Sequence, residues 1–448
     1  MIDLRWQMVL DRMGATKPAF SQGAFQAFRQ RMIENDLDIA LLERTVKLAK
    51  ESGAFDSRKL PKSLRVAIDS MPLEGAGRVE DTINLLAHAG RKVAECAARL
   101  LDWEADRVCE EAGAPLLSAS SVKAALDLKW SDPDDRHEAV AKLTEQLVAL
   151  ERWLNDRMQS QVSEPPLKEH IKTIHQIVEQ DLEPDPGGGG VQIAEGVAPD
   201  RRISVEDKEM KHGRKSKSRR IDGYKRHLAV DMDTALILAC ALAPANRPEG
   251  ESATDLAADL QRAGMLPDSC FFDRAYVNTP LVNQVANDNG EAVCRPWQST
   301  NRGHFPKSLF KIDLRRHTIT CPEGNSEAIT LGATVEFDPA TCDVCPRRGE
   351  CTSAAPGRGR TVTIGQNEAM QERFRKLLDT PSGRAKLRER VVVEHLLAHA
   401  GRRQGKRARY LGVRRNLWDW RRASAITNLE TVNRRLTPAA APAEKMAA

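Results

Sequence analysis

Four consecutive glycines, 187–190, follow Pro184-Asp185-Pro186 and divide this 448-residue chain into two textures. Before them, apolar residues recur mostly at helical spacing; after them, they alternate or cluster in short runs, as strands do. A glycine run resists ordering because each glycine loses the most backbone freedom on folding. Residues 183–200 therefore read as a linker. At this length one core is not enough, and several structural units are expected.

The longest uncharged apolar stretch, 234–245, is far short of the roughly 20 residues that span a bilayer, and the start of the chain lacks signal-peptide order. Nine cysteines without an export signal read as reduced cytoplasmic thiols or metal ligands. A membrane protein and a secreted disulfide scaffold are thereby set aside. The net charge of +5 hides its distribution. Residues 211–226 hold eight Lys/Arg against Asp222, and 401–436 hold eleven against Asp419 and Glu430. The rest is acidic, at about −11. Two dense basic segments suit a phosphate backbone, whose neutralisation releases counterions.

Residues 24–51 predict amphipathic helices capped by Ser21, and 64–70 a short strand ending at Asp69. Helices are expected over 78–182, one starting at Ser131-Asp132-Pro133. Segments 223–231 and 235–242 predict strands joined by Met232-Asp233-Thr234, followed by a helix over 249–264 and a strand, 269–273, ending at Asp273. A helix (279–287), a strand (291–296), a cysteine-bearing strand-rich stretch to about 364 and helices from 368 complete the order.

This order matches an α/β fold with an RNase H-like mixed-sheet core, interrupted by a long helical insertion and a Cys-containing β-rich insertion. The expected divisions are N-terminal helices (1–60), first core strand (61–78), helical insertion (79–182), linker (183–200), core strands and helices (201–300), Cys-containing insert (301–366), catalytic helix with basic C-terminal helices (367–438), and a disordered tail (439–448).

Asp69 and Asp273 each follow an apolar strand, and neighbouring strands lie about 5 Å apart, so the two acids can converge. Glu394, on an apolar helix after Arg390, is the candidate third acid. Hard oxygen donors suit Mg²⁺ or Mn²⁺, and two such ions roughly 3.5–4 Å apart support in-line phosphoryl displacement. Without chemistry, Arg390 and Glu394 read as a helix-surface ion pair four residues apart.

The segment Asp69-Ser70-Met71-Pro72-Leu73-Glu74-Gly75-Ala76-Gly77-Arg78 resembles the first acidic motif of the DDE transposases of bacterial insertion sequences. Gly223 through Asp231 resembles their second core strand, Phe272-Asp273-Arg274-Ala275-Tyr276 their second acidic motif, and Arg390 through Glu394 the arginine–glutamate signature of the third. The resemblance implies Mg²⁺-dependent DNA cleavage and strand transfer, with Asp69, Asp273 and Glu394 as metal-binding acids and Arg390 on a phosphate. It also implies a homodimer on DNA. Asp231 is the alternative acid. Met71 replaces the usual Thr, Leu387 the usual Tyr, and Gly401 stands where a basic residue is usual. By the same resemblance the chain starts inside the family's N-terminal helical region, as a truncated copy does.

DNA phosphates are expected to meet Lys211, Arg214, Lys215, Lys217, Arg219, Arg220 and Lys225 in the first basic segment, and Arg402, Arg403, Lys406 and Arg407 in the second. Cys321, Cys342, Cys345 and Cys351 suggest a structural Zn²⁺ site, whereas Cys96, Cys109, Cys240, Cys270 and Cys294 fall in apolar patterns and read as core. Two competing readings are a catalytically inactive, transposase-derived DNA-binding protein and a metal-dependent nuclease without strand transfer.

Overall fold

The computed structural model describes residues 4–437 apart from 57, 59, 189, 216 and 217. Lys217 and the tail over 439–448 lie outside the described residues. Among the described residues no helix is long and apolar enough to cross a membrane.

Helices α1 (Gln22–Glu34) and α2 (Leu37–Glu51) precede the first long strand, with Ser21 accepting from the Ala24 amide as α1's cap. That strand, β1 (Arg65–Glu74), lies inside a six-stranded sheet with β2 (Lys211–Arg214), β3 (Arg220–Asp231), β4 (Leu236–Pro244), β5 (Ser269–Phe271) and β6 (Glu291–Val293). The order is β2-β3-β1-β5-β6, with β4 also on β3. β1 is antiparallel to β3 and parallel to β5, so the sheet is mixed and the chain is α/β.

Both faces of the sheet are covered, which explains why β3 is buried almost without interruption. On one face Val66, Ile68, Ala229 and Cys270 pack with Leu256 and Leu260 of α6 (Ser252–Arg262) and Val282 of α7 (Pro280–Asn287). On the other, Ala67, Leu228, Val230 and Phe271 pack against Val393, Leu396 and Ala400 of α8 (Val391–Gln404) and Trp420 of α9 (Val413–Leu436).

β1 does not stop at its acid. It continues through Glu74 because the 12-residue β3 pairs with it as far as Glu74↔Gly223, while parallel pairing with the three-residue β5 spans only Arg65–Ala67. Asp69 therefore sits mid-strand, just beyond the end of its parallel neighbour. Leu182–Pro184 and Val191–Ile193, on either side of the glycine run in sequence, pair antiparallel.

Between β1 and that hairpin, helices α3 (Thr82–Leu101), α4 (Pro133–Arg157) and α5 (Leu167–Asp181) share a core of Leu86, Val93, Leu143, Leu150 and Ile174. Asp132 caps the second of them through the Asp134 amide. Residues 311–363 form two small sheets around Phe310, Ile319, Phe337 and Val362.

Candidate active site

Alternation along a strand sends residues i and i+2 to one face. Ala67 faces α8, so Asp69 does too; Phe271 faces α8, and Asp273 follows it by two. The helix they face begins at Arg390, its cap residue, and carries Glu394 in its first turn. Arg390 Nη1 lies 2.9 Å from Asp69 Oδ2, and Nη2 donates to Glu394 Oε1 at 3.0 Å. The expected helix-surface pair is thus half of a bridge from sheet to helix. Asp273 is held by its own turn, accepting from the Ala275 amide at 2.9 Å. Burial raises its pKa above the ordinary carboxylate value; the Ala275 amide opposes this, and the charges of Glu249 and Asp69 reinforce it.

A cavity of about 670 Å³ opens at Asp273, walled by Glu249, Phe272, Arg274, Arg295, Leu387 and Arg390, with Lys215 at its margin. Leu387 gives an apolar wall where a hydroxyl was the usual expectation. Two acids, Asp273 and Glu249, share this lining with the guanidinium groups of Arg274, Arg295 and Arg390. As they stand, however, no three His, Cys, Asp or Glu side chains among the described residues are gathered closely enough to hold a metal ion. For the acids, the Arg390 guanidinium between Asp69 and Glu394 gives the physical reason.

Behind the acids, hydrogen bonds tie the second acidic motif to the second core strand and to α9. The Tyr276 hydroxyl lies 2.6 Å from His227 Nδ1, and the Trp420 indole N–H donates to the His227 carbonyl at 3.0 Å. Spacing alone assigned these residues no role; their neighbours Asp69 and Asp273 were the only signal. Burial, with Lys225 adding to it, lowers the His227 pKa to about 3 from 6.5. The unfolded chain thus takes up this proton first. His227's contribution to stability is complete above pH 6.5 and is lost as pH falls toward 3, by up to about 1.4 kcal/mol per unit. We expect the wild-type melting temperature to drop more steeply than that of His227→Gln between pH 7 and 5; equal slopes would contradict the assignment.

Two departures from the family pattern touch each other. A Cβ on Gly401 would lie 2.8 Å from the Met71 sulfur, so the larger side chain on β1 occupies room left by the glycine on α8. Asp231, the alternative acid, accepts from the Asp233 amide and the Thr234 hydroxyl and serves the β3–β4 turn.

The basic segments divide into two groups. Arg214, Lys215, Arg219 and Arg220 are exposed, as are Arg402, Lys406 and Arg407. Lys211 and Lys225 correct the expectation of DNA contact: both are buried, and their ammonium groups donate to the Asp200 and Arg247 carbonyls. Arg403 pairs with Glu430, and Arg407 donates to the Gly75 and Ala76 carbonyls. Arg414 and Arg421 bind Asp38. Much of the second segment's charge is spent inside the protein.

The five apolar-pattern cysteines are buried as expected, and no disulfide involves any of the nine. Cys321, Cys342, Cys345 and Cys351 line one cavity of about 180 Å³. Burial raises the Cys351 thiol pKa; nearby Arg360 opposes this, and the other three cysteines add to it.

The two-faced mixed sheet thus carries a cavity lined by Glu249, Asp273, Lys215, Arg274, Arg295 and Arg390. A family model described as the transposase DDE domain matches residues 197–429, more than half of the chain, which therefore belongs to the DDE-domain transposases. The match takes in Asp273 and Glu394; the strand bearing Asp69 lies before it in sequence yet sits between β3 and β5 in the sheet. No curated protein and no solved structure matched the chain.

Proposed function

We propose that this transposase cleaves DNA at the ends of an insertion sequence and transfers the freed 3′ end into target DNA, with Asp69, Asp273 and Glu394 as its acids. The observation that carries the reading is the bridge Asp69–Arg390–Glu394, whose Arg390 lines the cavity that also holds Asp273. The strand order supports an RNase H-like core: three antiparallel strands β1, β3 and β4, then β5 parallel to β1.

The carboxylates are hard oxygen donors, and Asp273 lies under the negative charge of its neighbours, so the donor set fits Mg²⁺ or Mn²⁺. Bound there, the ions supply charge neutralisation and Lewis acidity for phosphoryl transfer. Asp69 and Asp273 hold their carboxylates on one face, and Glu394 adds a third from α8. Arg390, released from the acids, is placed to meet a phosphate beside the cleaved bond. In the first reaction water forms a new P–O bond as the 3′-oxygen leaves and takes up a proton; in the second that 3′-hydroxyl forms a new P–O bond to a target phosphate as the target strand's own 3′-oxygen leaves, the proton lost by the attacking hydroxyl passing through solvent to the departing oxygen. Leu387 and Phe272 supply apolar walls.

DNA is held, in this reading, by Arg214, Lys215, Lys217, Arg219, Arg220, Arg402 and Lys406, on a homodimer acting in the cytoplasm. Removing Lys215, Arg402 and Lys406 together is expected to lower the slope of log K against log salt by about 2–3; an unchanged slope in a filter-binding titration removes these residues from the interface. The four clustered cysteines are proposed as a zinc site, supported by their shared cavity and the Cys342–Cys345 spacing.

The deciding experiment incubates the protein with duplex DNA carrying the element ends, with Mg²⁺ or with chelator, and resolves cleaved and joined products. Joined products that require Mg²⁺ support the proposal. Cleaved ends without joining favour a nuclease, and tight binding without nicking favours the inactive DNA-binding reading.

A further inference from the structure

We infer that Glu249 is a fourth carboxylate of this site, facing Asp273 and sharing with it the divalent cation of the proposed reaction; the inference rests on that reaction. Glu249 lies in the turn Glu249–Glu251, after β4 and just before α6. Gly250 explains how this turn comes so close to the Asp273 turn: a Cβ there would lie 2.9 Å from the Ala275 carbonyl and 3.2 Å from Thr279 Cγ2. The backbone following Glu249 is thereby laid against Arg274–Tyr276, and Glu249 and Asp273 become walls of one cavity.

Both acids line this cavity together with Arg390, the residue that bridges Asp69 and Glu394. Among the described residues no Lys, Arg or His forms an ion pair with Glu249, although it is half-buried. Glu394 differs on each count: its side chain is 53% exposed and tied to Arg390. A half-buried carboxylate without a cation beside another carboxylate carries a desolvation cost that a bound cation offsets. The sequence shows Glu249 only as an acid in a helix's first turn, where the helix dipole already accounts for it.

The test uses the full chain and the isosteric Glu249→Gln, with Glu372→Gln on an exposed helical ion pair as control. Mn²⁺ binding without DNA is read by electron paramagnetic resonance, and element-end cleavage is titrated with Mg²⁺. Glu249→Gln is expected to weaken Mn²⁺ binding by about tenfold and to raise the Mg²⁺ needed for half-maximal cleavage by a similar factor. The control should match wild type in both. Wild-type values for Glu249→Gln in both titrations overturn the inference. If Glu249→Gln does not fold, Glu249→Asp is read by the same two titrations and the same criteria. Undiminished cleavage by Asp273→Asn would instead overturn the underlying reaction, so the two failures are distinguishable.

Discussion

Asp69→Asn and Asp273→Asn are each expected to reduce Mg²⁺-dependent cleavage at least about a thousandfold, the scale on which removing one member of a cooperating catalytic set acts. Asparagine keeps the shape of the side chain and discards the charge and one acceptor, so the fold is preserved and the cation site is not. DNA affinity in a mobility-shift assay should stay within about threefold, because in the proposed reading Lys and Arg side chains, not these carboxylates, contact the phosphates. Asp69→Asn has a second consequence. It frees Arg390 from its 2.9 Å partner while leaving Glu394 as a tether. Activity loss with unchanged DNA binding therefore separates chemistry from docking, whereas loss of both points to a disturbed sheet.

The second large effect concerns stability and lies in a basic segment that the sequence suggested was for DNA. Arg421, almost fully buried on α9, spans Asp38 of α2 at 3.1 Å and Asp259 of α6 at 3.1 Å. Arg421→Ala leaves Asp259 buried with Arg262 alone, and Asp38 with Arg414 alone. Breaking a buried ion pair by removing one partner costs about 3–5 kcal/mol. The same change removes the tie between the N-terminal helices, α6 and α9. A fall in urea midpoint at constant slope is expected; a variant as stable as wild type would show that Arg414 and Arg262 suffice.

What the sequence made legible was the set of local signals. Ser21 and Asp132 cap the expected helices because a short side-chain acceptor before a helical period satisfies a free amide. Asp69 and Asp273 were singled out because strand alternation and the acidic motifs pointed to them. Arg390 and Glu394 were legible as a pair, but Asp69's place on Arg390 joins positions 321 residues apart and has no local trace. Glu249 and the chain Tyr276–His227–Trp420 were hidden for the same reason. The basic segments misled because charge density does not distinguish Lys215, at the cavity margin, from Lys225, which donates to a carbonyl inside. Composition reports the backbone freedom of the glycine run, not the pairing of Leu182–Pro184 with Val191–Ile193.

In the proposed reaction β1, a strand outside the matched domain, supplies one acid of a cation site whose second acid is Asp273. Mn²⁺ binding to wild type, Asp69→Asn, Asp273→Asn and the double variant tests it most directly. One shared site predicts that each single substitution weakens the same high-affinity binding and that the double variant loses little more than either. Wild-type Mn²⁺ affinity in Asp69→Asn, with the loss confined to Asp273→Asn, would contradict it.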